Sequence, residues 1–108
     1  MFNTSEVLHE IRTEIKKQLA EVGKDNGFIM HVLPDKNNAH ILKINEIAII
    51  RCEQTKMQLN WCRLPFSMGE TISITPETKD KGIDFIAKKF VQNWESISEI
   101  QKIPAHLQ

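Results

Sequence analysis

Six side chains in the sequence are of types that do acid–base, nucleophilic or metal chemistry. They are His9, His31, His40, His106, Cys52 and Cys62. The cysteines are ten residues apart, and neighbouring histidines are nine or more residues apart. Zinc sites usually take their ligands in close pairs such as Cys-x-x-Cys or His-x-x-x-His, which this spacing does not provide. We therefore expect no metal and no cofactor.

A nucleophilic pair remains open, because folding can bring Cys62 next to His31 or His40. The two histidines flank a predicted turn and can face each other across it. Nothing in the local sequence favours the thiolate form of Cys62. We expect no enzyme, and a small enzyme or ligand binder using His31, His40 or Cys62 is the second alternative.

The most basic stretch of the chain opens the last predicted helix. Its lysines are Lys79, Lys81, Lys88 and Lys89. Asp80 and Asp84 are interleaved with them, and fourteen acidic residues balance fourteen basic ones over the chain. A balanced chain has no long-range field to attract a polyanion. Nucleic-acid binding through these lysines is the first alternative function and is not favoured.

Two amphipathic helices are predicted, at about 5–22 and about 77–98. Apolar residues recur at three- and four-residue spacing in both. Asn3 and Glu6 have capping-box spacing before the first helix, and Gly23 provides its stop. Thr75-Pro76-Glu77 is typical of a helix start. In the second helix Phe85 is out of phase with the apolar stripe, so we expect it to point away from the core.

Between the helices, from about 28 to 75, the period changes to two. Short turns separate five predicted strands: Phe28–Leu33, His40–Ile44, Ile47–Glu53, Met57–Leu64 and Thr71–Thr75. Strands joined by such short loops must be antiparallel neighbours. We therefore predict one α+β domain over 1–108, a five-stranded antiparallel meander sheet with both helices packed on one face.

The face that Ile47–Glu53 turns to the core depends on its hairpin with Met57–Leu64. A one-residue slip moves every side chain to the opposite face. A two- or four-residue loop pairs Cys52 with Met57 and makes the inner face apolar, whereas a three-residue loop buries Arg51. Burying an unpaired guanidinium costs several kcal/mol, so we predict the register that pairs Cys52 with Met57.

That register places apolar residues on the outer face of the sheet, which two helices on the inner face leave open. Exposed apolar groups of this kind mark a candidate interface. We predict a partner-binding set of Ile47, Ile49, Arg51 and Cys62, together with Phe85 on the last helix.

The same hairpin predicts the state of the cysteines. In either register Cys52 and Cys62 are several rows apart, at about 3.3 Å per residue, which exceeds the about 7 Å Cα limit for a disulfide. We predict two free thiols, which suit a reducing compartment. The first residues lack a basic segment and no apolar run reaches about 18 residues, so we expect a cytoplasmic protein with no membrane contact.

Taken together, these features predict a noncatalytic protein–protein interaction module. A small inhibitor, immunity protein, adaptor or subunit would be of this kind. It would bind a protein partner through the open sheet face, and a homodimer is one form of that association.

Overall fold

The computed structural model describes residues 3–24, 29–36, 39–44, 47–54, 60–63 and 71–95 of the 108-residue chain. Within them lie two helices and five strands in the order α1, β1 to β5, α2. Their bounds are α1 Thr4–Glu21, β1 Met30–Pro34, β2 Ala39–Ile44, β3 Ile47–Gln54, β4 Asn60–Arg63, β5 Thr71–Ile74 and α2 Lys79–Gln92. The predicted α+β class, with two helices and an antiparallel sheet, is confirmed.

Helix α1 begins and ends at the signals present in its sequence. The side-chain oxygen of Asn3 accepts a hydrogen bond from the backbone N–H of Glu6 at 2.8 Å. At the other end Gly23 has a φ of 69°, a left-handed conformation that glycine adopts without strain. Val22, the residue that follows the helix, is 53% exposed, because the helix ends at Glu21 and its apolar stripe ends there too.

Helix α2 begins at Lys79, two residues later than predicted. Thr75 and Thr78 form a turn in which each side-chain oxygen accepts from the other's backbone N–H, at 3.0 and 3.2 Å. Pro76 lies inside this turn and not in the helix. The first helical hydrogen bond runs from the Gly82 N–H to the Thr78 carbonyl at 2.9 Å. The helix ends at Gln92, and the predicted continuation over 96–98 lies outside the described residues.

The strands are hydrogen-bonded in the order β1-β2-β3-β4-β5, and each pair of neighbours is antiparallel. Between β2 and β3 the register shifts: Leu42 pairs with Ile50 and Lys43 pairs with Ala48. Ile49 is therefore the extra residue of a β-bulge.

One face of the sheet, the inner face, packs against both helices. The core residues of α1 and α2 form a single buried cluster with Met30, Leu42, Ile50, Cys52 and Ile74. Alternation along each strand then assigns the neighbouring residues to the opposite face, the outer face. No helix among the described residues packs on that outer face.

Candidate functional site

The pairing of β3 with β4 differs from the predicted register. Cys52 lies opposite Cys62, Glu53 opposite Trp61, and Gln54 opposite Asn60. The prediction that Cys52 pairs with Met57 is wrong, because β4 is shifted by five residues along β3 relative to the predicted register and brings Cys62 opposite Cys52. Because this shift is an odd number of residues, it also reverses the assignment of β4 positions to the two faces.

The cysteines are the clearest correction. The prediction of free thiols is wrong: Cys52 is disulfide-bonded, and Cys62 is the only other cysteine in the sequence. Residues directly opposite in an antiparallel ladder have Cα atoms about 4.5–5.5 Å apart, which is within disulfide range. The expectation of a reducing, cytoplasmic compartment depended on free thiols and loses that support.

The bulge changes the position of Ile47. The backbone of Ile47 pairs with Ile44, which pairs with Met30, and Met30 is a buried inner-face residue. Opposite positions in a ladder share a face, so Ile47 lies in the row of the buried Met30. Cys62 lies in the row of the buried Cys52 for the same reason. Neither residue lies in the outer-face row that was predicted for it. The side chains of Ile47, Ile49 and Cys62 lie outside the described part, and their role in partner binding stays a prediction.

The outer face carries a patch of polar and apolar side chains on β1, β2 and β3 and at the residue that follows β1. We call it the outer patch: His31, Leu33, Asp35, Ile41, Lys43, Arg51 and Glu53. Leu33 lies opposite Ile41, which lies opposite Arg51, and these three form its middle row. Leu33 is 42% exposed, although its apolar side chain gains nothing from water.

Two carboxylates flank the middle row on one side. Arg51 Nε donates to Asp35 Oδ2 at 2.9 Å, and Arg51 Nη1 donates to Glu53 Oε2 at 2.8 Å. The hydrogen bond from Arg51 holds the pKa of Asp35 below its ordinary value, and the two carboxylates raise the pKa of Arg51. Arg51 is the predicted site residue that the structure places on this face, with its guanidinium held in one orientation.

Most of the outer patch was not anticipated from the sequence. Leu33, Asp35, Ile41, Lys43 and Glu53 were absent from the predicted set. Their signal was the period of two: His31 and Leu33 alternate with the buried Met30 and the half-buried Val32, and Ile41 and Lys43 lie on either side of the buried Leu42. For β1 and β2, the prediction did not assign either of the two alternating sets to the face that packs against the helices.

The two candidate catalytic histidines do not meet. His31 pairs with Lys43 and faces outward, whereas His40 pairs with Cys52 and lies on the inner face. The expectation that they face each other across the turn is wrong. His31 lies opposite Lys43, which is three residues from His40 along β2, and an odd separation along a strand places two side chains on opposite faces. His40 instead lies against α1, with its Nδ1 atom 2.7 Å from Thr4 Oγ1.

The predicted nucleic-acid residues lie among carboxylates. Lys79 Nζ is 3.2 Å from Glu10 Oε1, and Lys88 Nζ is 2.8 Å from Asp84 Oδ2. The adjoining cleft between α1 and α2, of about 490 Å³, is lined by His9, Glu10, Thr13, Glu14, Asp80, Ile83 and Asp84. Its acidic lining opposes the approach of a polyanion to the neighbouring lysines. Binding through Lys79, Lys81, Lys88 and Lys89 stays a prediction that this geometry does not favour.

Phe85 points away from the core, as its position in the sequence predicts. It is 46% exposed, and Lys89 Nζ lies 5.7 Å from its ring centroid. Helix α2 packs on the inner face, so Phe85 and Arg51 lie on opposite sides of the molecule. The predicted partner-binding residues therefore do not form one continuous surface.

Comparison of the chain with protein-family models, with curated protein sequences and with solved structures found no match. Across the described ranges, neither helix is long and apolar enough to cross a membrane. The same ranges contain no group of three or more His, Cys, Asp or Glu side chains placed to hold a metal ion.

Proposed function

We propose that the protein is a noncatalytic protein–protein interaction module that binds through the outer patch. The observation that supports this most is the exposed Leu33, which lies opposite the half-buried Ile41 in the same row as Arg51. Protein interfaces combine an apolar centre with a polar rim, and arginine is enriched among the residues that dominate binding energy. The proposal treats the five strands as a single meander with both helices on its inner face.

The ion pairs of Arg51 support this function in a second way. A guanidinium has five N–H donors in a fixed fork, and Asp35 and Glu53 use two of them. The remaining donors are of the kind that bind a partner's carbonyl or carboxylate oxygen. Because its orientation is already fixed, less side-chain entropy is lost on binding.

The free edge of β1 is a less suitable surface for a partner than the outer patch. The N–H of Asp35 bonds to the Ala39 carbonyl of β2, so the even-numbered residues of β1 direct their backbone groups to the edge. Arg12 Nε donates to the Met30 carbonyl at 2.8 Å, and Pro34 has no N–H to offer. A partner strand that paired with this edge would therefore lack a full set of backbone hydrogen bonds at two of its three residues, Met30 and Pro34.

Substitution of Leu33 by Asp tests the proposal, with Phe85→Asp as a matched control. Both parent residues are apolar and similarly exposed, at 42% and 46%, but they lie on opposite sides of the molecule. Proteins that co-purify with the tagged chain would be quantified by mass spectrometry, after circular dichroism confirms folding. We expect Leu33→Asp to lose partners that the parent and Phe85→Asp retain. Equal retention by Leu33→Asp and the parent would refute the proposal.

A further inference from the structure

We infer that the outer patch binds a second copy of this chain, with the two sheets packed face to face about a two-fold axis. This inference rests on the proposed function and specifies its partner. It follows from the distribution of charge across the patch, which is divided into three rows.

The three rows differ in character. Asp35 and Glu53 lie in an acidic row on either side of Ala39, and His31 lies opposite Lys43 in a basic row. The middle row of Leu33, Ile41 and Arg51 separates them. Adjacent strands are about 4.8 Å apart, so the side chains of neighbouring strands within a row are in reach of each other.

A two-fold axis that lies between the sheets and runs along the middle row makes this surface complementary to itself. The rotation keeps each strand over its own copy but exchanges the two outer rows. Leu33 and Ile41 then lie over the same residues of the second copy. Lys43 lies over Ala39 of the second copy, between the carboxylates of Asp35 and Glu53.

Arg51 would face Arg51 of the second copy in this arrangement. Each guanidinium is already bound by two carboxylates of its own chain, at 2.9 and 2.8 Å. Each Arg51 cluster therefore brings a net negative charge to the contact, which Lys43 of the other copy offsets. The chain as a whole has a net charge of zero, so two copies do not repel each other at long range.

The area of the sheet determines how strong such a dimer can be. The part of the sheet that carries the outer patch, three strands or roughly 14 Å across and about 17 Å along the strands, covers roughly 240 Å². Stable interfaces bury about 800 Å² on each partner. We therefore expect a weak dimer with a dissociation constant in the micromolar range or above, and the measurement must extend to about 1 mM.

Charge reversal tests the arrangement by sedimentation equilibrium. Lys43→Glu alone and Asp35→Lys alone each place like charges against each other, and we expect each to weaken self-association by about tenfold or more. An equimolar mixture of the two variants restores opposite charges at both contacts, so it should form a heterodimer about as strong as the parent dimer. Lys17→Glu, on the exposed side of α1, is the control and should dimerise like the parent.

The following outcomes decide the inference. A parent chain that stays monomeric to about 1 mM, or a mixture that associates no better than either variant alone, would overturn it. Glu53→Lys replaces Asp35→Lys in the mixture if circular dichroism shows that the latter does not fold. If the parent is monomeric but Leu33→Asp still loses co-purifying proteins that Phe85→Asp keeps, the outer patch binds a different protein and only the second-copy inference fails. If neither behaviour is seen, both proposals fail.

Discussion

Gly82 of α2 lies directly against the side chain of Ile74 in β5. A Cβ at position 82 would lie 3.0 Å from Cγ1 of Ile74, closer than an ordinary van der Waals contact. Ile74 is fully buried, so it has little room to move away. This close approach fixes how the second helix packs on the far edge of the sheet.

We predict that Gly82→Ala destabilises the protein by about 1 kcal/mol. Alanine is favoured over glycine inside a helix by roughly 0.5–1 kcal/mol, but overpacking a filled core costs about 1–3 kcal/mol and should outweigh it. Urea denaturation measures the difference in unfolding free energy. In an Ile74→Ala background the same change should become neutral or stabilising; a stabilising effect in the parent would contradict the packing described.

Reduction of the disulfide is predicted to lower the free energy of unfolding by about 3 kcal/mol. The cross-link at Cys52 closes a loop of about ten residues, and constraining the unfolded chain over that length gives a stabilisation of this size. Urea denaturation with and without a phosphine reductant measures it. The Cys52→Ala/Cys62→Ala double variant is the control and should be insensitive to the reductant. Identical curves for the parent in both conditions would contradict a disulfide at Cys52.

The hairpin that holds this disulfide shows where sequence reasoning reached its limit. Both helices follow from apolar spacing, and the cap at Asn3 and the stop at Gly23 were readable in advance. The pairing of β3 with β4 was not, because the strand Ile47–Gln54 is apolar on both faces over much of its length. Its register then depended on a loop length and a bulge at Ile49 that no residue type specifies.

The outer patch was only partly predictable for the same reason. Arg51 could be assigned to the outer face because burying its charge unpaired is costly. Its partners could not be named, since Asp35 lies sixteen residues away in a turn after β1. A contact between side chains on different strands, such as that of Arg51 with Asp35, can be predicted only when the register of the strands is known.

The titration of Asp35 is predicted to be shifted downwards. The hydrogen bond from Arg51 lowers the pKa of Asp35 below its ordinary value, so the ion pair is intact at neutral pH and is lost as the pH falls through the lowered pKa. Carboxyl-carbon NMR measures the midpoint directly. Arg51→Ala should move it upwards, whereas Lys17→Ala should not. A midpoint that is the same with and without Arg51 would show that the pair does not form in solution.

Photo-crosslinking from two matched positions tests most directly whether the outer patch is the binding surface. A benzophenone amino acid would replace Leu33 in one variant and Phe85 in another, at sites of similar exposure on opposite sides of the molecule. We predict a discrete crosslinked protein product from position 33, either a second copy or another chain, that disappears when Arg51→Glu is added. Position 85 should give none. Equal products from both positions, or a product from position 33 that persists with Arg51→Glu, would contradict the assignment of function to this face.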